Sequence, residues 1–184
     1  MSLGTLLGAI FFSEELKISV LSRYPIQSSR FYALPNPNLT IIRPNGELWI
    51  SYTEGLLTGE INYEGVEINI ANILLIPFHY FKRDFAEPEF DSIRENIVEI
   101  LLGLLDKPTL AIGDYNLHDL KRHFPELFEN GKYEEVFENI ETAPGRGQQD
   151  HILYSHHWRL KEYEVNEEVN ADHYLCSTTL DLKE

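Results

Sequence analysis

The sequence is almost without cysteine: Cys176 is the only one in 184 residues. An internal disulfide is therefore excluded, and no cysteine spacing suited to zinc exists. Because Cys176 lies in the apolar run that begins at Leu175, its thiol reads as buried and inert. Basic residues are scarce as well, with 15 Lys and Arg against 30 Asp and Glu, for a formal charge of −15. An acidic surface repels polyanions over a Debye length of about 8 Å at physiological salt, which argues against long duplex DNA as a partner. A bound divalent cation would still make one pocket attractive to a small phosphate ester. Long hydrophobic runs are missing too. The stretch from Leu3 to Phe12 is too short to span a bilayer, lacks basic residues before it and is followed by Glu14 and Glu15. The expectation is a cytoplasmic protein without membrane association. Internal repeats, low-complexity segments and linkers are also absent, so residues 1–184 are read as one domain, long enough to bury an ordinary core.

What the sequence does contain is strand-like and helical runs in separate stretches. Leu6 to Phe12 and Leu16 to Leu21 flank a polar break and predict a hairpin. Two further strand-like pieces, Leu39 to Ile42 and Glu47 to Tyr52, are separated by Pro44-Asn45-Gly46; Trp49 on the second is assigned to packing. Leu56 to Tyr63 and Val66 to Leu75 predict a second hairpin turning at Glu64-Gly65. Phe90, Ile93, Ile97, Ile100, Leu101 and Leu104 recur at three- and four-residue steps, a helix expected to end near Asp106-Lys107, just before Pro108. A shorter helical stretch interrupted by Pro125 runs to Asn130, and Trp158 to Val165 and Tyr174 to Leu182 read as closing strands. Strands and helices without sustained alternation predict an α+β sandwich.

Three polar clusters stand at the edges of these runs. Pro108 to Asp119 reads PTLAIGDYNLHD, where Gly113 releases a buried strand into Asp114, Tyr115 and Asn116. On the residues alone, Asp114 and Asn116 equally suit an Asx turn that only caps the backbone. Gln149-Asp150-His151 opens a second apolar run, and Ala171-Asp172-His173-Tyr174 opens a third. Arg146, in the loop Ala143-Pro144-Gly145-Arg146-Gly147 ahead of Gln149 and Asp150, is the best-placed cation for these groups.

The three clusters in this order, together with Ser22-Arg23-Tyr24-Pro25-Ile26, resemble the endonuclease/exonuclease/phosphatase superfamily from about residue 17 onward. The resemblance implies a four-layer α/β-sandwich of the deoxyribonuclease-I-like type. It implies Mg2+- or Mn2+-dependent hydrolysis of a phosphodiester or phosphomonoester. Carried over by motif, His173 would be the base and Asp172 would bind the metal or its water. Asp114 would orient the nucleophile and share the metal, Asn116 would donate to a phosphate oxygen and Asp150 would support the imidazole. Arg146 and His151 would contact substrate. Two departures accompany the likeness. The superfamily's first strand with its Asn, and the segment ending in a metal-binding Glu, have no counterpart in Met1 to Phe12, as if the domain were N-terminally truncated. A homodimer, or a partner supplying the missing segment, is the corresponding expectation. Aligning Asn72 with the family's Asn-x-His places Leu74 where the histidine belongs, and His79 follows five residues later. Alongside a weak or incomplete enzyme stand two other readings: a degenerate domain that binds a phosphate ligand or protein, and a fragment completed in trans.

Overall fold

The computed structural model describes residues 9–12, as backbone, and residues 18–183. Glu14, Glu15 and the turn expected around them lie outside the described residues. Among the described residues, β1 (Ala9–Phe12) and β2 (Ser19–Ser22) pair antiparallel.

The centre is a six-stranded mixed sheet. Its strands are β3 (Ile26–Ala33), β6 (Gly55–Tyr63), β7 (Val66–Leu74), β8 (Thr109–Asp114), β10 (Asp150–Ser155) and β9 (Tyr133–Glu135), in that spatial order. Only β7 and β8 run parallel, joined by the crossover that contains α1 (Asp91–Leu102). The β6–β7 hairpin turns at Glu64 and Gly65, which both take positive φ. Two ribbons complete the strands: β4 (Thr40–Ile42) with β5 (Leu48–Ile50), and β11 (Trp158–Asn166) with β12 (Leu175–Leu182).

Side-chain alternation divides the sheet into two faces. Ala71, Ile73, Ala111 and Leu153 face α1, where Phe90, Ile93, Ile97 and Leu101 are buried. Ile68, Ile70, Ile152 and Tyr154 face the other way, onto Trp158 and the apolar side of β11–β12. The helix stops at Leu102, earlier than the periodicity predicts. Gly103 caps it, and the amides of Leu104 and Leu105 then make tighter three-residue bonds to Leu101 and Leu102. The carbonyl of Leu104 is taken by Asn69 Nδ2 at 3.0 Å and Thr109 Oγ1 at 2.7 Å, so the chain cannot continue as helix there. The second helical stretch is broken into α2 (Leu120–His123) and α3 (Pro125–Phe128), as Pro125 requires.

Candidate functional site

The candidate site is built by strand register. Gly55 on β6 pairs with Leu74 on β7, Leu74 with Asp114 on β8, and Asp114 with Asp150 on β10. Four neighbouring strands therefore end or begin in one row, and Glu54 immediately precedes it. Gly113 makes the row possible. Its φ is +139°, and a Cβ there would stand 2.0 Å from the Ile73 carbonyl oxygen, so only glycine lets β8 come this close to β7 before Asp114.

Asp114 uses its two oxygens differently. Oδ1 accepts from the Asn116 amide at 2.9 Å, the Asx turn open on sequence grounds, while Oδ2 faces His173 Nε2 at 4.0 Å. Asn116 sits in the left-handed region, φ 51°, and donates from Nδ2 to the Leu75 carbonyl at 2.8 Å. Asp150 Oδ2 lies 2.7 Å from His173 Nδ1, which fixes the ring. His173 itself rides on the segment between β11 and β12, anchored where the Tyr174 amide donates to the Thr142 carbonyl at 2.7 Å. Arg146 ties the same segment down, donating to the Asp172 carbonyl at 2.6 Å and reaching the Tyr80 hydroxyl at 3.4 Å. Asp114, Asn116, Arg146, Asp172 and His173 all line one cavity of about 290 Å³.

Two expectations change here. His151 does not reach the cavity. Adjacent strand residues point to opposite faces, so once Asp150 meets His173 its neighbour must turn toward α1. There His151 is 1% exposed, its Nδ1 on Glu135 and its Nε2 2.8 Å from the Leu117 carbonyl. Asp172, expected at the metal, stands on the rim with its side chain 86% exposed and Arg146 Nη2 at 3.5 Å from its carboxylate. His79 also stays outside this cavity, in an adjoining one beside His118 and Asn116, where burial chiefly lowers its pKa.

Glu54 is the residue that the motifs did not reveal. It lines the cavity, and its Oε2 is buried with no hydrogen-bond partner among the described residues. Burial first, and the charge of Asp114 second, push its pKa up to about 7. Asp114 is itself raised to about 6, again mainly by burial. The only sequence signal was positional: Glu54-Gly55 opens an apolar strand as Gly113-Asp114 closes one.

A hard divalent cation suits this donor set. An orphaned carboxylate oxygen beside a second carboxylate, both held against ionisation, is an arrangement that positive charge relieves. Among the described residues no group of three or more His, Cys, Asp or Glu forms a ready cage. Mg2+ commonly takes only one or two carboxylates, with waters and substrate oxygens filling its other positions.

A scan against protein-family models finds no match, and a search of curated proteins finds none either. Solved structures do match, and they give the chain the α+β, deoxyribonuclease-I-like fold of the endonuclease/exonuclease/phosphatase superfamily. Among them is a mannosyl-6-phosphatase from Bacteroides thetaiotaomicron, with a TM-score of 0.63 and 14% identity over 86% of this chain. The chain spans 67% of that protein's length. TDP2 of D. rerio, solved with a single-strand DNA product, matches 95% of this chain and 77% of its own at a TM-score of 0.64 and 12% identity. The human Nocturnin catalytic domain, solved with a bound sulfate anion, matches 94% of this chain and 72% of its own at a TM-score of 0.57 and 12% identity.

Proposed function

We propose that the chain is a divalent-cation-dependent phosphoesterase acting on a small phosphate ester, with Asp150, His173 and Asp114 as its working row. The carrying observation is the pair of contacts to one imidazole, Asp150 on Nδ1 at 2.7 Å and Asp114 across the cavity from Nε2 at 4.0 Å. With its Nδ1 proton held by Asp150, the ring presents an unprotonated Nε2 to the cavity. Atoms 4.0 Å apart do not bond each other, yet both reach a single water oxygen about 2.8 Å from each. His173 takes the proton from that water as its oxygen attacks phosphorus. The P–O ester bond breaks, and the leaving oxygen is protonated from solvent. Asp114 orients the water, and Arg146 and the second N–H of Asn116 face the phosphoryl oxygens. Glu54 and Asp114 would hold the Mg2+ or Mn2+, in preference to the solvent-facing Asp172. When bound, the cation neutralises charge developing on the phosphoryl group.

The neighbours support this reading, since one is a phosphatase and another was solved with a nucleic-acid product. A second reading, a degenerate domain that binds a phosphate ligand without turning it over, is favoured by Leu74, which lines the cavity where a donor would serve an oxyanion. Hydrolysis of bis(p-nitrophenyl) phosphate with and without Mg2+ separates the two. Turnover that needs the metal and is lost in His173→Ala supports the enzyme; metal-independent phosphate binding with no turnover supports the degenerate domain.

A further inference from the structure

The polar groups share the lining of the cavity with Trp49, Ile50, Tyr52, Tyr80 and Phe81, contributed by the β4–β5 ribbon with the residues just after it and by the turn after β7. These residues have a peculiar standing. Tyr52 is 68% exposed, Ile50 48% and Tyr80 39%, although the core has no shortage of apolar partners. Large side chains left in water beside a polar site are a recurrent mark of a binding surface. Trp49, by contrast, is clamped. The Arg43 guanidinium lies 3.5 Å over its ring, Phe81 stacks at 5.9 Å with 21° between planes, and Tyr80 leans on it at 5.6 Å. Held in this way, it lines the cavity. Tyr80 is fixed at the other end, its hydroxyl within reach of Arg146, the residue that also holds the His173 segment. Trp49 and Tyr80 are thus tied to each other and, through Arg146, to the segment that carries His173.

We infer that this aromatic wall selects the ester: the substrate carries a flat aromatic organic group, received by Trp49, Tyr52 and Tyr80 while its phosphate meets the row at Asp114 and His173. This rests on the phosphoesterase reading of the cavity and adds the class of organic group to it. Aromatic partners gain from edge-to-face and offset stacking beyond simple area burial, so a wall built of rings favours a ring over an alkyl chain of equal size. Side chains already held, as Trp49 and Tyr80 are, lose little conformational freedom on binding. The wall also extends past the first hollow. A second cavity, of about 570 Å³, shares Trp49 and Tyr80 with it and leaves room for a group larger than a single ring.

The test is binding without turnover. In Mg2+-loaded His173→Ala protein, calorimetry compares 1-naphthyl phosphate with methyl phosphate. The naphthyl ester is expected to bind at least about 10-fold more tightly, a difference that two aromatic contacts supply. Tyr52→Ala, at an exposed position that the fold does not need, should shrink the ratio at least about threefold and leave methyl phosphate affinity unchanged. Tyr52→Phe should restore it. Equal affinities for the two esters, no binding of either, or an undiminished ratio in Tyr52→Ala would each overturn the inference. The bis(p-nitrophenyl) phosphate assay runs in parallel on the parent protein. Discrimination without turnover keeps the wall and discards the enzyme, whereas turnover without discrimination does the reverse.

Discussion

At the scale of residues, two histidines adjacent to the same strand end have opposite expected phenotypes. His173→Ala should lower kcat by about 10²–10⁴-fold, the usual worth of a positioned base, with the unfolding midpoint little changed. Asp150→Asn should do the same more mildly, because the ring loses its orienting carboxylate. His151→Ala should instead leave the buried Glu135 with only Gln148 Nε2 as its partner and the Leu117 carbonyl with none, and cost about 1–3 kcal/mol of stability, read by urea denaturation. The parity that separates Asp150 from His151 was present in the sequence, since neighbours on a strand cannot share a face. Glu54 was less legible, because its importance comes from a register match to a strand sixty residues away. Its titration gives a signed prediction for the metal-free protein. Glu54 and Asp114 have folded pKa values of about 7 and about 6, both above their ordinary ranges. The folded state therefore holds more protons than the unfolded one. Their contribution to stability is full at low pH and is lost as pH rises through those values. In EDTA, thermal midpoints should fall between pH 5 and pH 8, Glu54→Gln should flatten that fall, and Mg2+ should reverse it in the parent but less in the variant. A midpoint that rises with pH in the parent, and equally in Glu54→Gln, would place the controlling groups elsewhere.

Elements were the most readable level, and the reasons are local. The β4–β5 ribbon, the β6–β7 hairpin and α1 each follow from turn residues between apolar runs or from a 3.6-residue period. The end of α1 departs from its pattern because the apolar period continues into Leu104 while the backbone is already tightening. What no local pattern announces is the pairing of β8 with β7, on which the whole row depends. Gly113→Ala tests that pairing. A Cβ 2.0 Å from the Ile73 oxygen and 2.8 Å from its nitrogen cannot be accommodated without parting the strands. The expected loss is about 3 kcal/mol or more, from overpacking and backbone strain together. Gly131→Ala is the matched control. It shares a positive φ, +66°, but its Cβ would meet nothing within 4 Å, so it should cost only about 1 kcal/mol. Equal losses would mean that conformation, not strand approach, is what Gly113 provides. Activity should fall with stability only in Gly113→Ala, since only there is Asp114 displaced.

For the whole molecule the governing quantity is charge. A formal charge of −15 sets a repulsive field around a cavity whose own rim carries Arg146 and whose second lobe carries Arg43 and Lys82. The two fields differ in range. At low salt an anionic ester approaching from outside feels the net charge first, because the few rim cations are outnumbered at a distance of tens of ångströms and dominate only close to the cavity. With Mg2+ saturating, raising NaCl from about 10 mM to about 150 mM shortens the Debye length from about 30 Å to about 8 Å. That change removes the repulsion before it weakens the contacts. The value of kcat/KM for a small anionic ester should therefore rise across this range, and the rise should be steeper for a short oligonucleotide than for a monoester, in proportion to the charge each brings. Glycerol-matched controls remove viscosity as a cause. A slope of the opposite sign would mean that the bound cation and the rim arginine dominate at distance, and polyanionic substrates would then be favoured despite the acidic surface.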